Sequence, residues 1–235
     1  MIYRAGEVET NEGGSAGVVI TELQRPKLQW GALPIAKAVQ ERVVILGCIR
    51  SGTSLLAGSL REQGLFLGDN LMPGNKAFPK GCLEDKNIFD ISTYAIIAGG
   101  SDDAIQAPAK TTIDLGEEWT DYVARLSGIK VPLMMWSFES WVPALGDFKI
   151  IAVRRGRSAS LRSLSDFGIA RPEKIYEAYN ERLDEIMGLH SGIEVCLEDF
   201  IKDVSGTMER LCAYAGLQYD GRVTFYESEI LKYKG

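Results

Sequence analysis

Two stretches of this chain gather groups that hold anions. In the first, Gly47-Cys48-Ile49-Arg50-Ser51-Gly52-Thr53-Ser54, two glycines flank a cation and hydroxyls follow. Gly47 and Gly52 allow the backbone to turn tightly and to approach a ligand closely. If a helix comes next, its first amides point into the turn, where the helix's partial positive charge gathers, and phosphate is the commonest guest. The second stretch, Lys149 to Arg162, has five basic residues and no acid in a chain of net charge −6. Positive potential of this kind steers and holds phosphate. Arg155 and, eight residues on, Ser163 converge if the turn between them leads into a helix. A guanidinium fork and a hydroxyl suit a terminal phosphate.

These groups need strands and helices to present them. Val43 to Leu46 are apolar and mostly β-branched, as expected of a strand covered on both faces. Leu55, Leu56 and Leu60 recur at helical spacing, so a helix with one buried stripe follows the first loop. Gly64 to Gly68 reads as a short strand bounded by glycines. Asn75 to Asp85 is loop, because prolines and glycines interrupt it, and it ends in Glu84-Asp85 before an apolar helical pattern. Ser101 to Glu118 reads as a flexible flap, Trp119 to Leu126 as a helix, and Met134 to Leu145 as another. Phe148 to Arg155 is the clearest later strand. Pro172 opens a helix with Ile175, Tyr179, Leu183, Ile186 and Met187 as its buried stripe. Ile193 to Phe200 reads as a final strand, and Gly216 ends the helix after it. Residues 1–16 read as a flexible arm, Gly17 to Leu23 as an added edge strand and Pro34 to Gln40 as a short helix. Residues 17–235 then form one α/β domain.

The first loop has nearly the spacing of the nucleotide-binding P-loop, Gly-x-x-x-x-Gly-Lys-Ser/Thr. Thr53 stands in place of the lysine, and Arg50 brings the cation inside the loop. Without the lysine, contact to β- and γ-phosphates is lost, but one 5′-phosphate bearing a further anionic group still fits. The Arg50-Ser51-Gly52-Thr53-Ser54 run resembles the 5′-phosphosulfate loop of sulfotransferases that use 3′-phosphoadenosine 5′-phosphosulfate (PAPS), in their bacterial branch. Pro79-Lys80-Gly81 and Glu84-Asp85 are similar to that branch's Asn-Pro-Lys-Gly-Tyr-Phe-Glu-Asp segment, with Cys82-Leu83 replacing the aromatics. Lys130-Val131-Pro132 resembles its Lys-x-Pro segment. Arg155 and Ser163 resemble its 3′-phosphate motif, without the Asp-Pro after the arginine. Leu197-Glu198-Asp199 resembles its Tyr-Glu-Asp strand end, and Glu198 and Asp199 are read as structural.

The resemblance implies a three-layer, P-loop NTPase-like α/β domain with a central parallel sheet of about five strands. It implies PAPS as sulfuryl donor, held by Arg50, Ser51, Gly52, Thr53 and Ser54 at the 5′ end and by Arg155 and Ser163 at the 3′-phosphate. Arg154 is the alternative in the other register, though Arg162 then takes the serine's place. Glu84 would take the acceptor's proton, with Asp85 as second choice, and Lys130 would neutralise the sulfuryl group. No metal is required. The acceptor would be a small molecule, a carbohydrate, a lipid or a peptide tyrosine. Residues 217–235 leave a C-terminal donor-binding loop short. Two other readings remain open: a P-loop kinase or nucleotide hydrolase with Asp199 as metal ligand, and a nucleotide-binding protein of the same fold without turnover.

Composition narrows the partners. The net negative charge speaks against nucleic acid or an anionic membrane. No apolar run reaches the roughly 18 residues of a membrane span. The opening residues lack the apolar stretch of a signal peptide, and a cytoplasmic protein is expected. Cys48, Cys82, Cys196 and Cys212 show no Cys-x-x-Cys spacing and read as free thiols. His190, the only histidine, lies near the end of a polar helix and reads as a surface residue.

Overall fold

Alternation along two strands sets the layers. The computed structural model describes residues 25–29, 41–74, 81–101, 105 and 110–227. Strand β1 (Arg42–Gly47) is buried along its whole length. Val44 and Leu46 face one core and Val43 and Ile45 the other, because successive side chains of a strand point to opposite faces. After β1 come helices α1 (Thr53–Glu62), α2 (Lys86–Ala98) and α3 (Glu117–Val123), then the short strand β2 (Gly128–Ile129). A 3₁₀ segment (Pro132–Ser137) runs into α4 (Phe138–Leu145), and β3 (Phe148–Arg154) follows. The chain continues through α5 (Arg157–Asp166), α6 (Pro172–Leu189), β4 (Gly192–Cys196), α7 (Leu197–Lys202), α8 (Val204–Ala215) and α9 (Thr224–Glu227).

The strands form one parallel sheet in the order β2-β1-β3-β4. In β3, Ile150 and Ala152 join the core under α2, α3, α4 and α6, while Ile151 and Val153 join the core under α1, α7 and α8. This is the three-layer α/β arrangement expected, with four strands among the described residues rather than about five. The difference lies at residues 64–68. They run beside the start of β2, where the Phe66 carbonyl accepts from the amides of Ser127 and Gly128 at 3.1 and 2.9 Å. The Ser127 hydroxyl accepts from the Phe66 amide at 2.7 Å. A side chain therefore takes a bond that a strand would give to backbone, and no ladder forms.

Two further elements depart from expectation. The strand expected at Ile193–Phe200 stops at Cys196, and Leu197 begins α7. The helix expected at Met134–Leu145 is tightened to 3₁₀ over Pro132–Ser137 before α4 begins. The Gly216 cap forms as expected, with φ 69°. The N-terminal arm, the expected edge strand and the expected helix at residues 34–40 lie outside the described residues, as do Pro79 and Lys80. No helix among the described residues is long and apolar enough to cross a membrane.

The topology has one reversal point among the described strands. From β1 the chain moves outward to β2 and then returns across β1 to β3, so the direction of winding reverses between β1 and β3. Loops leaving the carboxyl ends of two such strands diverge and leave room for a ligand. At that point β1 and β3 approach so closely that a Cβ on Gly47 would sit 2.5 Å from the Val153 carbonyl oxygen. We expect Gly47→Ala to cost about 1–3 kcal/mol, because backbone must shift to admit the methyl group. Urea unfolding at neutral pH measures this, and an unchanged midpoint would contradict the close approach.

Candidate functional site

The residues after β1 turn through left-handed backbone before entering α1. Arg50 has φ 68° and Gly52, the N-cap, has φ 99°. Among the described residues no side chain caps α1, which leaves its first amides open to an anion. Ser51 is only 2% exposed, and its hydroxyl has no hydrogen-bond partner among the described residues. A buried hydroxyl left in this way costs free energy unless a ligand satisfies it. The loop residues present thus fit an anion. Thr53 is buried, with its methyl group turned toward Gly47.

The second stretch meets this loop. The Arg155 guanidinium donates to the Arg50 carbonyl at 3.1 Å, and the Arg50 Nε donates to the Ser163 hydroxyl at 3.2 Å. Ser163 is buried on α5, and Phe167 at the end of that helix lies under the Arg50 guanidinium, 5.3 Å from ring centroid to carbon. Arg154 points elsewhere. It shares a strand face with Ala152, and it donates to Glu194, to Asn180 and to Asp184 on β4 and α6. The basic run is therefore divided between the strand, the turn and the helix that follows. Lys149 pairs with Glu41 at the start of β3, Arg157 pairs with Glu177, and Arg155 turns to the first loop.

A second network borders the loop. Lys130 follows β2 directly and is buried, its side chain 2% exposed. Its ammonium donates to Glu84 Oε1 at 2.7 Å, to the Ser54 hydroxyl at 2.9 Å and to the Cys82 carbonyl at 2.9 Å. Three donors find three acceptors, which is what a buried ammonium needs. The Ser54 hydroxyl in turn donates to the Cys82 carbonyl at 3.1 Å. The two networks adjoin at Cys82. Burial pushes its thiol up, the Glu84 charge adds to that, and Lys130 and Arg50 oppose it. The Cys82 carbonyl was not legible in the sequence, since a backbone acceptor has no residue signature. Leu83, next to it, has φ 58°, an unusual conformation for a bulky side chain.

Asp85 has another role. Its carboxylate caps α2 by accepting from the Ile88 amide at 3.1 Å, and it accepts from the Tyr122 hydroxyl at 2.6 Å. His190 is half-buried against Phe138 and Phe148, at the amino end of β3 and away from the loops at its carboxyl end. Asp199 lies in α7, with a side chain 73% exposed, 3.5 Å from Lys202, and so is not at a strand end over the loop. Among the described residues no cluster of His, Cys, Asp and Glu could hold a metal ion.

The four-stranded parallel sheet between helices, with the loop after β1 at its reversal point, is a three-layer P-loop-like α/β fold. The sulfotransferase domain of the Synechococcus PCC 7002 olefin synthase superposes with a TM-score of 0.50, covering 82% of this chain and 78% of that one at 19% identity. The sulfotransferase STF1 of Mycobacterium tuberculosis gives a TM-score of 0.46 at 13% identity, covering 78% of this chain and 70% of that one. The sulfotransferase domain of the curacin biosynthetic pathway gives 0.46 at 12%, covering 78% and 76%. The sequence matches no protein-family model and no curated protein.

Asp85 generates a pH dependence. Burial pushes its carboxyl up to about 6, against the opposing pull of the Tyr122 hydroxyl and the Ile88 and Asn87 amides. Between the unfolded value near 4 and that folded value, the folded chain keeps a proton that the unfolded chain has released. Stability therefore falls as pH rises through this window, by about 3 kcal/mol at most, and stays reduced above it. Asp85→Asn keeps a capping oxygen and should flatten the curve. Urea midpoints at several pH values from 4 to 7 measure both, and an equal slope in the variant would exclude Asp85 as its source.

Proposed function

We propose that this protein transfers a sulfuryl group from PAPS to an acceptor hydroxyl or amine. The observation that carries the reading is the meeting of the two anion-holding loops: Arg155 and Ser163 both contact Arg50, across 105 and 113 residues of chain. One ligand with an anion at each end suits such a pair of loops. The fold shared with the olefin synthase's sulfotransferase domain agrees with it.

In this reading Arg50, Ser51, Gly52, Thr53 and Ser54 hold the 5′-phosphosulfate, with the Ser51 hydroxyl and the α1 amides as its donors. Arg155 and Ser163 hold the 3′-phosphate. The Ser163 hydroxyl can accept from Arg50 and still donate its own proton to an oxyanion. PAPS supplies sulfur already activated by a phosphate leaving group. Arg50 balances the charge that grows on that phosphate oxygen, and Glu84 takes the acceptor's proton. Lys130 fixes Glu84 and Ser54 in one place, so proton acceptor and donor-binding loop keep a constant separation. The acceptor is a small molecule, carbohydrate or lipid. The kinase reading loses its metal ligand, because Asp199 is exposed in α7.

Two measurements test this. Calorimetry should show 3′,5′-adenosine bisphosphate binding at least about tenfold tighter than AMP, with most of the difference lost in Arg155→Ala. Equal affinities in the native protein would reject PAPS as donor. In a sulfate-transfer assay over a panel of acceptors, Glu84→Gln should lower turnover by about 100-fold or more while bisphosphate affinity stays within twofold. Full turnover in that variant would move the proton to another group, and no turnover in the native protein with any acceptor would favour the binding-protein reading.

A further inference from the structure

The turn that presents Arg155 is held from the neighbouring strand end. Glu198, in the first turn of α7, accepts from the Gly156 amide through Oε1 at 3.0 Å. Its other oxygen, Oε2, accepts from the Cys196 thiol at 3.0 Å. A Cβ on Gly156 would lie 3.2 Å from Glu198 Oε1, so the glycine leaves the space that the carboxylate occupies. Burial pushes the Glu198 carboxyl up. The Cys196 thiol, the amides of Glu198 and Gly156, and the Arg155 guanidinium outweigh this and hold it below the usual carboxylate range. Arg155 lies within the field of that carboxylate and donates to the Arg50 carbonyl. Arg155 stands one residue beyond the end of β3, next to Gly156, so the backbone that Glu198 holds is the backbone that carries the arginine.

We propose that Glu198 is a positioning residue: held by the Cys196 thiol, it anchors the β3–α5 turn through the Gly156 amide and so aims Arg155 across the crevice at the first loop. This rests on the PAPS reading for its consequence and on the hydrogen bonds alone for its geometry. A ligand bearing a 3′-phosphate depends on Arg155 standing in one place, whereas a 5′-monophosphate held by the first loop does not. Glu198 thus sets the preference for a nucleotide phosphorylated at both ends without touching it.

The test separates the two levels. Glu198→Ala and Glu198→Gln are titrated with 3′,5′-adenosine bisphosphate and with AMP. Glu198→Ala should lose roughly tenfold in bisphosphate affinity, with AMP within twofold. Glu198→Gln, whose carboxamide oxygen still accepts from Gly156, should recover most of that loss. An unchanged bisphosphate affinity in Glu198→Ala, or an equal loss for both ligands, overturns the proposal, since a merely structural carboxylate would not discriminate. Amide hydrogen exchange of the free protein gives a second readout that needs no donor. Exchange at Gly156 should speed up at least about tenfold in Glu198→Ala and be partly restored in Glu198→Gln. Unaltered exchange overturns the anchoring role even if PAPS is the donor. A native protein that does not prefer the bisphosphate, with Gly156 exchange changed as expected, sinks the donor reading and leaves the anchor standing.

Discussion

A buried ammonium with three hydrogens requires three acceptors, and Lys130 draws them from separate parts of the chain. Ser54 belongs to the first turn of α1, Cys82 and Glu84 to the segment before α2, and Lys130 itself to the end of β2. Removing any one of these acceptors would leave a charge desolvated without full compensation, which is strongly unfavourable. The loop after β1 and the segment before α2 are therefore joined by electrostatics as well as by the apolar packing of Leu83 beneath α1. The same contact fixes the Glu84 side chain, while its carbonyl accepts from the Met72 amide beside the bridge between Leu71 and Asp85.

The site also stores local strain. Among the described residues Arg50 and Leu83 are the non-glycine residues with positive φ. They stand on the two segments that Lys130 and Ser54 join. Left-handed backbone costs a residue with a Cβ roughly 1–2 kcal/mol. It persists here because each is fixed from outside, Arg50 by Arg155 on its carbonyl and Leu83 by burial in the core beneath α1. Strain gathered at the meeting of two loops is a common property of ligand sites.

Much of the scaffold was legible because it follows from short-range rules. Val43 to Leu46 are apolar and mostly β-branched, Leu55, Leu56 and Leu60 are spaced for a helix, and Gly216 is a helix stop; each formed where expected. The misreadings occur where a tertiary contact competes with propensity. Residues 64–68 look like a strand but give one backbone bond to the Ser127 hydroxyl. Residues 197–200 look like the continuation of β4, yet Leu197 and Phe200 turn into the core as a helix.

The sequence by itself determined that a glycine-flanked loop with a cation and hydroxyls follows the strand at Val43–Leu46, that a basic turn follows a later strand, and that a parallel α/β sheet presents both. Residue type and spacing suffice for that, because turns, caps and strand alternation depend on neighbours within a few positions. Only the tertiary structure decided which arginine of the pair reaches the first loop, which of two adjacent acids is a helix cap, and that Glu198 accepts from the Gly156 amide. Arg154 is the last residue of β3 and pairs with Glu194 on β4, while Arg155 lies in the turn that follows and reaches the Arg50 carbonyl. Asp85 caps α2 while Glu84 meets Lys130, a partner 46 residues away. Such choices depend on pairings between distant segments, which no local pattern encodes.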